Sequence, residues 1–557
     1  MPDATTRRCA ILFLAVFAIA VTFAAYTNHA WEDYWITFRA SHNLATGHGL
    51  VYKVGDRLHT FTSPLGTLLP AGLSWVTGNE SDQTVLWLFR FVSMTAFASG
   101  MVLVFLGLTR LHKNRLSTWL AVSLLGLDAK TVDFSINGME TGFLFFFLAL
   151  TFHGFFVAGR RQAWRIGIGW GGLMWTRPDS CIYIAALALA AFIFSPNAMG
   201  GQSRKDLSKK IFPAGIICTI LYLPWFAWAW SYYGSPVPHT IIAKGTNLPG
   251  ISPFGLVEGM LLSPVLMLKT SAYARWVFLP TYAWFGGWTQ ILPFIGLAFA
   301  LVAAFIWVVP RVQAHTRTLS FTFFLGLFFL DHIVKVAFPW YLPPVAFFGY
   351  LTISCIFDEL LSLARFGGSG AHPMLRGMTK FLPGCAFALI AGQTLVTLGE
   401  ARQMEVQQRL IEDGMRRQIG LWLRANAHST NDTVYLEPLG YIGYFSRLKM
   451  FDSLGLSSRE VVEIRRRLGP ENQNQVYLEL KPDWLVLRPI ELKKAKIIDP
   501  QPLPEYYDLV KIFDAGDEIL ATRWLPGKNY LLFDQAFLVY HRKNQDGSAP
   551  SPTGDVH

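Results

Sequence analysis

Residues 9–39 read CAILFLAVFAIAVTFAAYTNHAWEDYWITFR, and this stretch decides the class of the chain. From Cys9 to Tyr26 it carries no charge, close to the run of about 20 apolar residues that a spanning helix needs. The run stops at Thr27-Asn28, and five residues later two adjacent carboxylates, Glu32 and Asp33, stand among Trp31, Tyr34, Trp35 and Phe38. The rest of the 557 residues repeats the pattern: 52% are hydrophobic, 15% are charged, and the mean hydropathy is +0.33. Soluble domains carry about 25% charged residues, so a set of ordinary soluble domains is excluded. Intrinsic disorder is excluded as well, because 15% of the chain is aromatic.

Eleven runs qualify as spans: 9–26, 84–108, 116–130, 140–158, 163–176, 179–196, 211–231, 288–309, 318–337, 340–358 and 380–398. The first reads as an uncleaved helix behind Arg7-Arg8, since no convincing cleavage site precedes Glu32. Basic residues fall in alternate short loops, for example Arg110, Lys113 and Arg115, then Arg160, Arg161 and Arg165, while the short connections opposite carry only Arg177 and Lys335. That alternation predicts a cytoplasmic N-terminus and a tail outside the cytoplasm. It also accounts for the net charge of +11 without nucleic acid, because the segment from 401 onward is neutral, with 21 basic and 21 acidic residues. The five cysteines lie in or beside apolar runs, with neither metal spacing nor a disulfide pattern.

The expected organisation is a polytopic α-helical membrane module over 1–400 and an extracytoplasmic α/β or α+β domain over 401–557. Long outer loops are expected at 27–83, where 31–39 reads as an interfacial helix, and at 232–287. In the tail, 432–437, 475–480, 484–487 and 530–533 read as strands, 401–426 and 457–468 as helices, and 544–557 as disordered.

Ionisable residues at the rim of a bilayer are costly and therefore informative. Glu32 and Asp33 can serve as a general base or hold a divalent cation, or they can simply be solvated beside Arg39. Arg177-Pro178-Asp179 either closes a turn with an ion pair or presents Arg177 to a phosphate. Glu140 either stabilises a helix N-terminus or shares a cavity with Asp33. In the segment 234–245, Lys244 either snorkels to the membrane surface or suits a phosphate headgroup, with His239 and Thr240 nearby. Asp331-His332 and Trp340-Tyr341 either line a cavity or form an aromatic belt. No phosphate-binding glycine loop and no metal-spaced His/Cys set is present. The spans read as nearly free of charge, which disfavours an energy-coupled transporter.

In their order these residues resemble the GT-C superfamily of polyprenyl-phosphate-dependent glycosyltransferases. The closest branch is that of mycobacterial-type terminal arabinofuranosyltransferases and their proteobacterial relatives. The resemblance rests on Glu32–Arg39, Gly47-His-Gly-Leu-Val-Tyr52 and Thr62-Ser63-Pro64-Leu65, then on Gly138-Met-Glu140-Thr141, Arg177-Pro178-Asp179, Pro238-His239-Thr240 with Lys244, Gly440-Tyr-Ile-Gly443-Tyr444 and Asp452-Ser-Leu-Gly455-Leu456. It implies inverting or retaining transfer of a pentose or related sugar to a glycan or protein hydroxyl at the inner membrane of a bacterium. Asp33 is then the candidate base with Glu32 beside it, and Lys244, Arg177 and His239 hold the donor phosphate. Arg39, Glu140, Asp179, Thr62, His332 and Tyr341 are expected around the substrate. The chain departs from the pattern at Glu32, where Asp is usual, at Trp35 and at His239, so both carboxylates stay candidates. A divalent cation is possible, and a non-catalytic carrier or flippase for lipid-linked sugars is the alternative function.

Overall fold

The computed structural model describes residues 4–198, 204–246, 252–334, 338–366, 373–495 and 503–543. Helices α1 (Ala4–Thr27), α2 (Glu32–Ala45), α3 (Pro64–Val76), α4 (Asp82–Leu111), α5 (Arg115–Gly126), α6 (Ala129–Ile136), α7 (Thr141–Phe156), α8 (Gln162–Thr176) and α9 (Cys181–Ala198) make up the first part of the chain. Next come α10 (Arg204–Tyr233), α11 (His239–Gly245), α12 (Pro253–Lys269), α13 (Ala272–Trp276), α14 (Ile291–Phe305), α15 (Ala314–Phe329), α16 (Leu342–Phe366) and α17 (Pro373–Val406). The described residues of all eleven apolar runs fall mainly on helix. Among the described residues, six helical segments are long and apolar enough to cross a membrane, or seven if α6 and α7, bent by 118°, count as one span. This is a multi-pass membrane fold, and the runs at 116–130, 140–158, 163–176, 179–196 and 318–337 sit on shorter or broken helices. Asp128, which accepts from the Thr131 N–H at 3.0 Å and caps α6, marks one such break. Lys335 and 544–557 lie outside the described residues.

The helical core is not free of charge, contrary to the sequence expectation. Arg90, Asp128, Lys130 and Asp133 are all buried. The Arg90 guanidinium donates to the carbonyls of Asn28, His29 and Ile136 at 3.0, 2.5 and 2.7 Å, which ties the end of α1 to α4 and α6. Asp133 pairs with His29 at 2.9 Å. These charges are spent within the fold, where composition alone does not reveal them.

Past α17 the helix continues through a wider π-helical stretch, Gln407–Arg416, into α18 (Arg417–Asn426). The tail then builds a five-stranded sheet from β1 (Thr433–Leu436), β2 (Lys449–Asp452), β3 (Trp484–Leu487), β4 (Tyr507–Asp514) and β5 (Ala536–Arg542), in the order β2-β1-β3-β5-β4. β1 runs parallel to β2 and β3, while β5 is antiparallel to β3 and β4. Two expected strands are helices instead, Val476–Leu480 and Lys528–Phe533. Strand propensity yields here to tertiary context, since Val476, Tyr477, Tyr530 and Leu531 bury as the inner face of short helices.

α2 is a helix as expected, and its aromatic side chains are packed inside the protein. Tyr34 and Phe38 are fully buried and Trp35 nearly so, packed against Tyr441, Tyr444 and Phe445 of the tail helix Gly440–Ser446. The contact needs Gly440, because a Cβ there would collide with the Glu32 backbone carbonyl.

Candidate active site

Two anchors hold α2 at the rim of a cavity of about 490 Å³. The Trp31 N–H donates to the Asn137 carbonyl at 2.8 Å, and Gly138, at φ 93°, packs its bare Cα on the Tyr34 ring. The Arg39 guanidinium donates to the carbonyls of Gly443 and Leu448 at 2.8 and 3.1 Å and lies 4.4 Å from the centre of the Tyr52 ring. Arg39 therefore clamps the tail onto α2 and does not line the cavity. Its role is attachment.

The paired acids part company in the first turn of α2. Glu32 accepts from the backbone N–H groups of Gly440 and Tyr441, and Arg416 stands 3.4 Å from its carboxylate. Burial nevertheless pushes its pKa up to about 8, against the opposing pull of Arg416. The Asp33 side chain makes no hydrogen bond or ion pair with the described residues. Burial raises its pKa above the usual aspartate value, and Lys244 is the strongest of the neighbouring charges that favour its ionised form, ahead of Arg177 and Arg416. Both acids line the cavity.

Lys244 also lines it. Its ammonium sits 5.2 Å from the Phe338 ring centre and 5.6 Å from that of Trp340, and it has no carboxylate partner among the described residues. Helix α11 is fixed to the tail at two points ahead of this lysine. Arg465 donates to the Ala243 carbonyl at 3.2 Å, and the His239 Nε2 meets the Gly455 carbonyl at 3.0 Å. Burial lowers the pKa of His239; a neutral ring donating to a carbonyl brings no cation to a phosphate. His239 is not part of the cavity wall.

Arg177, Glu140, Asp179 and Tyr341 do come together, as a cluster next to the cavity. Arg177 bonds Glu140 at 3.3 Å and Asp179 at 3.0 Å and lies 4.7 Å from the Tyr341 ring centre. Thr62 is half-buried and His332 bonds the Phe328 carbonyl at 2.8 Å; neither reaches the cavity.

Sequence reasoning missed the tail's share of the site. Arg416 and Arg488 flank Asp534 at 2.6 and 2.8 Å, and Arg488 also holds Glu437 at 2.7 Å. All four line the cavity, and the Nε atoms of both arginines are buried without a hydrogen-bond partner. Trp31, Tyr282 and Trp340 add aromatic faces. Among the described residues, no three His, Cys, Asp or Glu side chains gather as a metal-ligand group. The cavity thus joins one unbonded carboxylate, one unpaired ammonium, an aromatic wall and a neutralised polar rim. This combination can take a proton from a hydroxyl, hold a phosphate and stack on a sugar.

Residues 402–540 match a family described as a domain of unknown function, DUF8728. The chain is 25% identical over 300 residues to a terminal beta-(1->2)-arabinofuranosyltransferase of Corynebacterium glutamicum, covering 47% of this chain and 41% of that protein. It is 29% identical over 192 residues to the protein of the same name from Mycobacterium tuberculosis, covering 32% of this chain and 28% of that one. The chain therefore spans less than half the length of these curated relatives. Among solved structures, it is similar to ArnT from Cupriavidus metallidurans in the apo state, with TM-score 0.52, 12% identity and coverage of 99% of this chain and 100% of that chain. It is also similar to the archaeal oligosaccharyltransferase AglB from Archaeoglobus fulgidus, solved with an inhibitory peptide and a dolichol-phosphate, with TM-score 0.51, 15% identity and coverage of 85% and 69%. The fold is the GT-C-like one expected from the sequence, a helical membrane module carrying a C-terminal sheet domain.

Proposed function

We propose that this chain is a membrane glycosyltransferase. It takes a sugar from a polyprenyl-phosphate carrier and joins it to a hydroxyl of an envelope glycan or protein. Arabinofuranose is the sugar that the names of the two curated relatives favour. The reading rests on one observation above the others: Asp33 faces the cavity with its carboxylate unbonded while its neighbour Glu32 is held by the tail. Asp33 is the base that takes the acceptor proton as the hydroxyl oxygen bonds to the anomeric carbon. The bond from that carbon to the phosphate oxygen breaks, and the polyprenyl phosphate leaves against Lys244, with Arg177 as a more distant positive charge. Trp31 and Trp340 give the sugar an apolar face.

A lipid donor also suits the surroundings. An apolar crevice of about 230 Å³ between α14, α16 and α17 is lined by Phe278, Leu279 and Pro280, directly before the Tyr282–Phe285 segment of the cavity. AglB was solved with a dolichol-phosphate, which supports a carrier of that class. The alternating basic loops support a cytoplasmic N-terminus, with the cavity and the tail on the periplasmic face of a bacterial inner membrane.

The test is turnover. Purified protein is incubated with a synthetic polyprenyl-phospho-arabinofuranose and candidate acceptors, and released polyprenyl phosphate is measured by mass spectrometry. Acceptor-dependent release that Asp33→Asn abolishes is the expected result. Movement of labelled lipid across a vesicle bilayer with no new glycosidic bond would establish a flippase instead.

A further inference from the structure

The π-helical stretch Gln407–Arg416 feeds two cavities. The second, of about 460 Å³, lies on another face of α2, and the sequence reading assigned it nothing. Gln407 and Arg416 line the first cavity, whereas Gln408, Asp413 and Arg417 line the second. Each set is bonded into a ladder. On one side Gln407 donates to Glu412 at 3.1 Å and Glu412 accepts from Arg416 at 2.8 Å. On the other Gln408 donates to Asp413 at 2.8 Å, and Asp413 stands 3.7 Å from Arg417. The sequence Gln407-Gln408, Glu412-Asp413, Arg416-Arg417 is the same amide–acid–arginine ladder written twice, one residue apart.

The helix type makes this pairing possible. In an α-helix, residues five apart differ by about 140° around the axis; the i→i+5 bonding of a π-helix brings them back towards one face. A π-helix is a rare conformation that is frequent at functional sites, and here its geometry sets both ladders in register with their own cavities.

The second cavity is lined by Phe445, with the Arg417 guanidinium 5.1 Å from its ring centre, by the nearly buried Trp35 and by Asp82. Its one cation, Arg417, is matched by Asp413, and no lysine lines it. A phosphate would want an uncompensated cation of the kind that Lys244 supplies in the first cavity. Aromatic faces next to a bonded amide–carboxylate–guanidinium row suit the alternating apolar faces and hydroxyl edges of a neutral sugar.

We propose that this second cavity is a distal carbohydrate subsite, which binds the part of an acceptor glycan remote from the hydroxyl that reacts at Asp33. The proposal rests on the transferase reading above and adds that the acceptor is a neutral oligosaccharide engaged at two points.

The test uses the full chain in nanodiscs and a length series of neutral arabinofuranoside oligosaccharides, read both as ligands by saturation-transfer NMR and as acceptors by turnover. In the double variant Asp413→Asn, Arg417→Ala, the Kd and KM of the longest oligosaccharides should rise about tenfold, as loss of a hydrogen bond to a charged group implies. Their kcat should hold. These side chains are half-buried and exposed, and such a pair contributes little to stability, so the fold survives. Wild-type affinity across the series in the double variant would overturn the subsite, as would wild-type protein that gains nothing from length or accepts only peptides. Length-dependent binding that the double variant weakens, with no transfer from any donor, would uphold the subsite and sink the transferase reading. Transfer without length dependence would do the reverse.

Discussion

On the membrane side of the cavity, Asp33 and Lys244 make no hydrogen bond or ion pair with the described residues, whereas on the tail side Arg416, Arg488, Asp534 and Glu437 bond one another at 2.6–2.8 Å. The two walls hold similar residue types and use them differently. Tail charges are neutralised in place, so that wall keeps a fixed shape and a satisfied polar surface. The membrane wall leaves one carboxylate and one ammonium with their chemistry unspent. Glu32 and Asp33 repeat the contrast within two residues, since the first is fixed by Gly440 and Tyr441 and the second is left to the cavity.

The contrast breaks most visibly at Asp33. Asp33→Asn should lower kcat by about 10²–10⁴-fold, the usual cost of losing a general base, and leave the melting temperature unchanged because the side chain bonds nothing in the fold. Its pH dependence follows from burial. With the pKa raised above the ordinary aspartate range, the base is protonated and idle at low pH. The acid limb of kcat/KM should therefore lie above that range and disappear in the variant. A loss of stability without a loss of rate would reverse the roles assigned to the two walls.

Asp534→Ala should do the opposite. It leaves Arg416 and Arg488 without their shared partner, and breaking a buried pair costs about 3–5 kcal/mol. Faster hydrogen exchange over the tail and a lower melting temperature should appear before any change in donor affinity. Lys244→Ala should fall between the two: an apparent donor KM at least tenfold higher, from loss of a charge-assisted contact of about 1.5–3 kcal/mol, with no change in the tail's exchange.

These walls were not equally legible in the sequence. Glu32, Asp33 and Lys244 stand out because charges beside apolar runs are costly there. Arg416, Glu437, Arg488 and Asp534 sit in a neutral segment with 21 acids and 21 bases; only burial in the folded tail separates them from solvated surface charge. Local pattern also misread 475–480 and 530–533, where short apolar runs fit a strand or a helix equally and packing chose the helix. The blocks Gly440–Tyr444 and Asp452–Leu456 were visible, but their purpose was not. Gly440 gives α2 room, and Asp452 accepts from the N–H groups of Leu456 and Ser457 at 2.7 and 2.9 Å, which sets Leu456 in the cavity wall.

Glu32 sharpens the comparison through pH. Its pKa in the folded protein, about 8, lies above the ordinary glutamate value of 4.5, so the carboxylate binds its proton more tightly in the folded state. That contribution to stability is complete at pH below the unfolded value and is lost as pH rises through about 8. Melting temperature should fall as pH rises from about 4.5 to about 8 in the wild type, and Glu32→Gln, which cannot ionise, should flatten that fall. An identical decline over that range in both proteins would place the titrating group elsewhere.

The smallest effect is expected at His239, which ties α11 to the tail outside the cavity. If the ring is a tether, His239→Ala loses one hydrogen bond to the Gly455 carbonyl, about 1 kcal/mol of docking, and donor KM stays put. His239→Asn should restore the loss, because a side-chain amide can donate to the same carbonyl. If the ring were instead a phosphate ligand, both variants would weaken the donor, and the asparagine would not rescue the docking loss. Donor KM and tail exchange, measured on the same pair of variants, separate the two roles at a residue where the sequence and the structure assign different partners.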